Sequence, residues 1–142
     1  MTELTVDIEK IINAPIEKVF DAWLNPKLLS KFMMGMPDML ETDVEIDARK
    51  GGHFTFIMHL GDEKIPHTGE YLEIDRPDKL VFTWVSSHSV VDNSAVTLNF
   101  TKVGDNKTKI SLSHVKFIDE EARSGHERGW GCVLDKLNAV MS

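Results

Sequence analysis

The 142-residue chain draws 42% of its residues from the apolar set and 27% from Asp, Glu, Lys and Arg, with five prolines and nine glycines. That is a globular composition, not that of a disordered, collagenous or linker-like chain. Sixteen basic against 23 acidic residues leave a formal charge of -7, which repels a phosphate backbone and argues against a nucleic-acid partner. The opening MTELTVDIEK is acidic where a secretory leader is basic, and no window approaches the roughly 18 consecutive apolar residues of a membrane span. A single cysteine, Cys132, excludes an intramolecular disulfide and a thiolate metal cluster and fits a reducing compartment. The expectation is one soluble, cytoplasmic domain over residues 1–142 with no membrane insertion.

From Leu4 the chain alternates, with Leu4, Val6, Ile8 and Ile12 on one face, as a half-buried strand does. Asn13 stands as an N-cap, Pro15 falls in the first turn, and Ile16, Val19, Phe20 and Trp23 follow at helical spacing. Asn25 and Pro26 repeat that start signal for a short helix to Phe32, which runs into a methionine-rich loop holding Met33, Met34, Met36 and Met39.

Thereafter the period is near two. Val44, Ile46 and Ala48 form one row, and Gly51 and Gly52 turn the chain into Phe54, Phe56, Met58 and Leu60. Gly61 and Asp62 turn it again into a strand over 66–74. Leu80, Phe82 and Trp84 give the next inner row, then Val96, Leu98 and Phe100, then Ile110, Leu112 and His114. Short connections throughout predict an antiparallel meander. The last segment changes period: Asp119 is a candidate N-cap, and Trp130, Val133, Leu134, Leu137 and Met141 share a helical face. About 22 residues at about 1.5 Å each reach about 33 Å, enough to cross seven strands spaced about 4.8 Å apart. A curved sheet around one helix leaves a concave side lined by large apolar rows, which predicts a pocket for an apolar or aromatic ligand.

Gly69-Glu70-Tyr71-Leu72-Glu73-Ile74 with Pro77 and Leu80-Val81-Phe82-Thr83-Trp84 resembles the central signature of the SRPBCC superfamily, in the branch named for the activator of heat-shock protein 90 ATPase. Asn13-Ala14-Pro15 ahead of Val19 and Trp23, Gly52 with Phe54, the stretch from Thr108 to His114, and Gly129-Trp130 with Leu134 and Leu137 continue the match along nearly the whole chain. The resemblance implies an α+β helix-grip, START-like fold: a seven-stranded curved antiparallel sheet wrapped around a long C-terminal helix, with two short helices after the first strand. That fold hosts carriers, hormone receptors, cyclases and co-chaperones alike. In this chain Phe32 stands where relatives often carry tryptophan, and the separate N-terminal domain of the eukaryotic co-chaperone has no counterpart; both departures argue against direct stimulation of a chaperone ATPase.

The chain carries no GxSxG, HExxH, P-loop or GxGxxG motif, which argues against a nucleophilic hydrolase, a zinc protease and a nucleotide cofactor; no cofactor is expected. His53 and His59 share a strand face but lie about 20 Å apart, too far for one metal ion. Cys132 reads as a packing residue. His114 falls on the inner face, where it either hydrogen-bonds a ligand or is satisfied by a protein neighbour. Glu70 and Tyr71 face opposite sides of their strand, so at most one reaches the interior, and register decides which. Trp23, Phe32, Met33, Met36, Phe54, Phe56, Met58, Phe82, Trp84, Leu98, Leu112, Trp130, Val133, Leu134 and Leu137 complete the candidate lining. The favoured function is non-enzymatic carriage or sensing of a small apolar or aromatic molecule between the sheet and the last helix. A co-chaperone-like or stress-response interaction module, with a protein partner or a second copy, and a cyclase-like enzyme using His114 with Glu70 or Tyr71 are the alternatives.

Overall fold

The computed structural model describes residues 5–34, 40–86, 95–115 and 120–141. In chain order the elements are β1 (Thr5–Ile12), α1 (Ile16–Ala22), α2 (Pro26–Phe32), β2 (Leu40–Ile46), β3 (His53–Leu60), β4 (Glu63–Asp75), β5 (Lys79–Thr83), β6 (Val85–Ser86), β7 (Ala95–Gly104), β8 (Lys107–Val115) and α3 (Glu120–Met141). Seven strands form an antiparallel sheet in the order β1-β8-β7-β5-β4-β3-β2, and the two-residue β6 pairs with β4. The meander, the helix-grip architecture and the extent of α2 and α3 agree with the sequence reading. Leu4, Met36, Met39 and Asp119 lie outside the described residues.

Alternation explains which face is buried. Along β8 the pattern of Thr108, Ile110, Leu112 and His114 is fully buried while their neighbours are not, and β7 opposes it in register, Leu98 to Leu112 and Val96 to His114. These rows join Val6, Val133, Leu134 and Leu137 in one buried cluster. The backbone of α3 lies beside β1 and α2. Its tethers are Lys10 to Asp135 at 2.7 Å and the Asn138 side chain accepting from the Asn13 N–H at 2.9 Å.

The start of α1 differs from the sequence expectation. Asn13 is not the N-cap: Pro15 is, with extended backbone (φ -63°, ψ 150°) and no side-chain cap, so Asn13 lies two residues too early in the chain to cap α1. Asn25 does cap α2, its Oδ1 accepting from the N–H groups of Lys27 and Leu28. β4 also begins earlier than expected, at Glu63, because Gly61 adopts φ +61° and closes a two-residue turn that pairs Leu60 with Glu63.

β4 is closely approached at Gly69. A side chain at this position would collide with the Thr83 carbonyl oxygen and with the ring of Phe54, its partner on β3. Beyond it the register shifts between Tyr71 and Glu73, and the Thr83 hydroxyl accepts from the Glu70 N–H at 2.8 Å. β4 therefore changes partner there, from β6 at His67 and Thr68 to β5 at Tyr71. Gly131 in α3 is the opposite case, since an added methyl meets nothing within 4 Å. In urea denaturation Gly69→Ala is expected to lose at least about 2 kcal/mol by overpacking, whereas Gly131→Ala is expected to gain up to about 1 kcal/mol through helix propensity.

Candidate functional site

Alternation on β3 aims Phe54, Phe56 and Met58 at the interior, and β4 and β5 add Tyr71 and Phe82. Phe54 is the hub: its ring lies 4.6 Å from Phe56 (stacked), 5.4 Å from Tyr71, 5.5 Å from Phe82 (edge-on) and 6.1 Å from Trp84. Gly69 pairs with Phe54 and Glu70 with His53, so alternation buries Tyr71 while Glu70 turns to the other face, 3.8 Å from His53. Opposite this wall, Trp23 caps the C-terminus of α1 and meets Phe32 of α2 edge-on at 5.1 Å. Thr42 donates to the Met33 carbonyl at 2.6 Å and fixes the chain as it leaves α2.

Between the two walls lies a cavity of about 10 Å³, lined by Trp23, Leu29 and Met33 on the helical side and by Phe54, Phe56, Tyr71 and Phe82 on the sheet. It has room for about one water molecule. Three polar atoms in this region are buried with no hydrogen-bond partner: Trp23 Nε1, the Tyr71 hydroxyl and Trp84 Nε1. Each costs roughly 1–3 kcal/mol relative to a satisfied group. Burial pushes the Tyr71 phenol well above its ordinary value, so it stays protonated across the physiological range.

Six of the expected lining residues thus meet at one void. The sequence reading missed Leu29, although its place three residues before Phe32 and four before Met33 puts it on their helical face. Met58, Leu98 and Leu112 are buried on β3, β7 and β8, and Phe32 backs Trp23, all outside this lining. Met36 lies outside the described residues. Val133, Leu134 and Leu137 on α3 do not line this void, which sits under α1 and α2.

At the other end of the aromatic wall Trp84 lies 4.8 Å from Trp130, and Trp130 Nε1–H donates to His114 Nδ1 at 3.0 Å. Nδ1 is the acceptor, so the neutral ring carries its proton on Nε2. Burial first, and then the facing His126, push His114 down to about 3. It is a core imidazole, neutral near pH 7, and Glu70 on the opposite face cannot act with it. Burial likewise raises the Cys132 thiol. Among the described residues no three His, Cys, Asp or Glu side chains converge on a metal position, and no helix is long and apolar enough to cross a membrane.

A depressed histidine makes stability pH-dependent. The unfolded chain takes up a proton at His114 below about pH 6.5 that the folded chain refuses, so this contribution is complete above that pH and is lost as pH falls towards 3, at about 1.4 kcal/mol per unit. His114→Asn keeps an acceptor for Trp130 without titrating. Its urea-derived stability is expected to fall less steeply than that of the unsubstituted protein between pH 6.5 and 4, and parallel curves would assign the loss to other groups.

The family profile of the Activator of Hsp90 ATPase homolog 1-like protein matches residues 13–142. Among solved structures, a Chromobacterium violaceum protein is 20% identical and superposes with a TM-score of 0.82, covering 97% of this chain and 96% of that one. The AHSA1-like protein of Aeromonas hydrophila is 22% identical with a TM-score of 0.80, over 95% and 90% of the two chains. A Mycobacterium smegmatis protein is 23% identical with a TM-score of 0.79, over 97% and 90%. These identities carry the fold alone. No curated protein matches the chain. The profile spans almost the whole chain and coincides with the branch that the Gly69–Trp84 signature pointed to, so the protein belongs to the Activator of Hsp90 ATPase homolog 1-like family, within the SRPBCC superfamily.

Proposed function

We propose that this protein is a non-enzymatic carrier or sensor for a small apolar or aromatic molecule, seated between the α1–α2 wall and strands β3 to β5. The observation that carries the reading is the aromatic-lined cavity whose wall holds two buried, unpartnered hydrogen-bonding groups, on Trp23 and Tyr71. A folded chain gains nothing from such groups by itself, whereas a ligand that pairs with them recovers their desolvation cost.

The cavity at rest is far smaller than an aromatic ring, for which about 150 Å³ is ample. Binding therefore displaces part of the wall. Met33 is the side chain suited to yield, with three rotatable bonds and a polarizable thioether next to the two-turn α2. Support for a non-enzymatic role comes from the lining itself: an indole and a phenol held protonated by burial donate hydrogen bonds but exchange no protons near neutral pH. The lone cysteine supports a cytoplasmic location. Family membership favours a second reading, a co-chaperone-like interaction module.

Titration with N-phenyl-1-naphthylamine, a neutral fluorophore, together with native mass spectrometry of the same sample, separates the two. A saturable emission rise and a one-to-one bound mass, lost on denaturation, are the expected results. A linear emission response with only the unliganded mass would remove the carrier reading and leave the interaction module.

A further inference from the structure

Resting on the proposed binding role, we infer that the site selects neutral molecules carrying a carbonyl-type hydrogen-bond acceptor, which Trp23 Nε1–H and the Tyr71 hydroxyl read together. Both side chains line the same cavity, both are at least 98% buried, and neither polar atom has a protein partner.

The chemistry of the two groups narrows the ligand. An indole N–H only donates, and the Tyr71 phenol, kept protonated by burial, donates as well. A carbonyl oxygen has two lone pairs and accepts from both. A hydrocarbon of the same shape leaves both donors unpaired in the dry interior and so recovers none of their desolvation cost. A site built to hydrogen-bond a ligand therefore rejects the analogue lacking that group more strongly than one differing by a methylene.

Charge narrows it further. The lining contains no Lys, Arg or His to accompany an anion and no Asp or Glu to accompany a cation, so an ion entering it is desolvated without a partner. The protein's charge of -7 adds long-range repulsion against anions. Phe54, Phe56 and Phe82 supply the apolar surface on which the body of a neutral ligand packs.

The test uses three probes of matched size, acetophenone, ethylbenzene and benzoate, titrated into 15N-labelled protein while the three indole N–H signals are followed. Trp23→Phe identifies the Trp23 signal by its loss. Acetophenone is expected to bind at least about five-fold more tightly than ethylbenzene and to move the Trp23 indole signal, with benzoate the weakest of the three. Tyr71→Phe, which removes a hydroxyl that has no partner in the folded protein, is expected to match or exceed the parent in urea stability and to bring the acetophenone-to-ethylbenzene ratio close to one. Trp23→Phe is expected to narrow the same ratio and stands in for Tyr71→Phe should that variant not fold. Equal affinities for acetophenone and ethylbenzene, a ratio unchanged in both variants, or benzoate as the tightest probe would overturn the inference while leaving the binding role intact. Absence of binding by all three would remove the binding role and the inference together.

Discussion

The close approach at Gly69 governs the interior. Only a residue without a Cβ lets the Phe54 ring lie across β4 while the Thr83 carbonyl reaches the same point. At that contact β4 passes from β6 to β5, and alternation from Gly69 turns Tyr71 inward and Glu70 outward, ahead of the register shift between Tyr71 and Glu73. The aromatic hub around Phe54 thus depends on one missing methyl group.

The three tryptophans show how differently one fold treats the same group. All three are buried, yet Trp130 Nε1–H has His114 Nδ1 at 3.0 Å, while the indole nitrogens of Trp23 and Trp84 have no partner. The satisfied pair lies where α3 meets the sheet. Its imidazole is held neutral, so the bond persists through the physiological range and this end is a permanent part of the core. Trp23 and Tyr71 sit at the seam where α1 and α2 meet β3 to β5, and there the polar groups remain open to a further partner. The Trp84 indole nitrogen, beside Trp130 but without a partner, lies between these two ends.

Much of this was legible in the sequence, for identifiable reasons. Period-two alternation marked the inner rows of β3, β5, β7 and β8, because each is buried on one face only, and the change to helical period marked α3. Asn25 directly before Pro26 was a true cap, whereas Asn13 with Pro15 imitated one; the helix starts one residue after its proline in α1 and at its proline in α2, which leaves Asn13 outside the cap position. The choice between Glu70 and Tyr71 needed the pairing of Gly69 with Phe54, which fixes the alternation of β4. Six residues of the void's lining were legible, but not that they would meet at one gap. A void is what packing leaves over, and the sequence names the wall residues without saying which of them close against each other.

Why the void falls under α1 and α2 follows from what holds each helix. The ion pairs on both are exposed, Lys10 with Asp135 on α3 and Arg76 with Asp21 on α1, and pairs of that kind contribute about 0–1 kcal/mol. Burial does the holding. α3 presents Trp130, Val133, Leu134 and Leu137 over two turns, branched and aromatic shapes that share a buried cluster with Leu98 and Leu112. α1 and α2 have only seven residues each, and across from Trp23 and Leu29 they meet planar rings set at 24° to 87° to one another. Rings at mixed angles pack against a short helix with a gap, and Met33, the most adaptable side chain of the lining, fills it only in part.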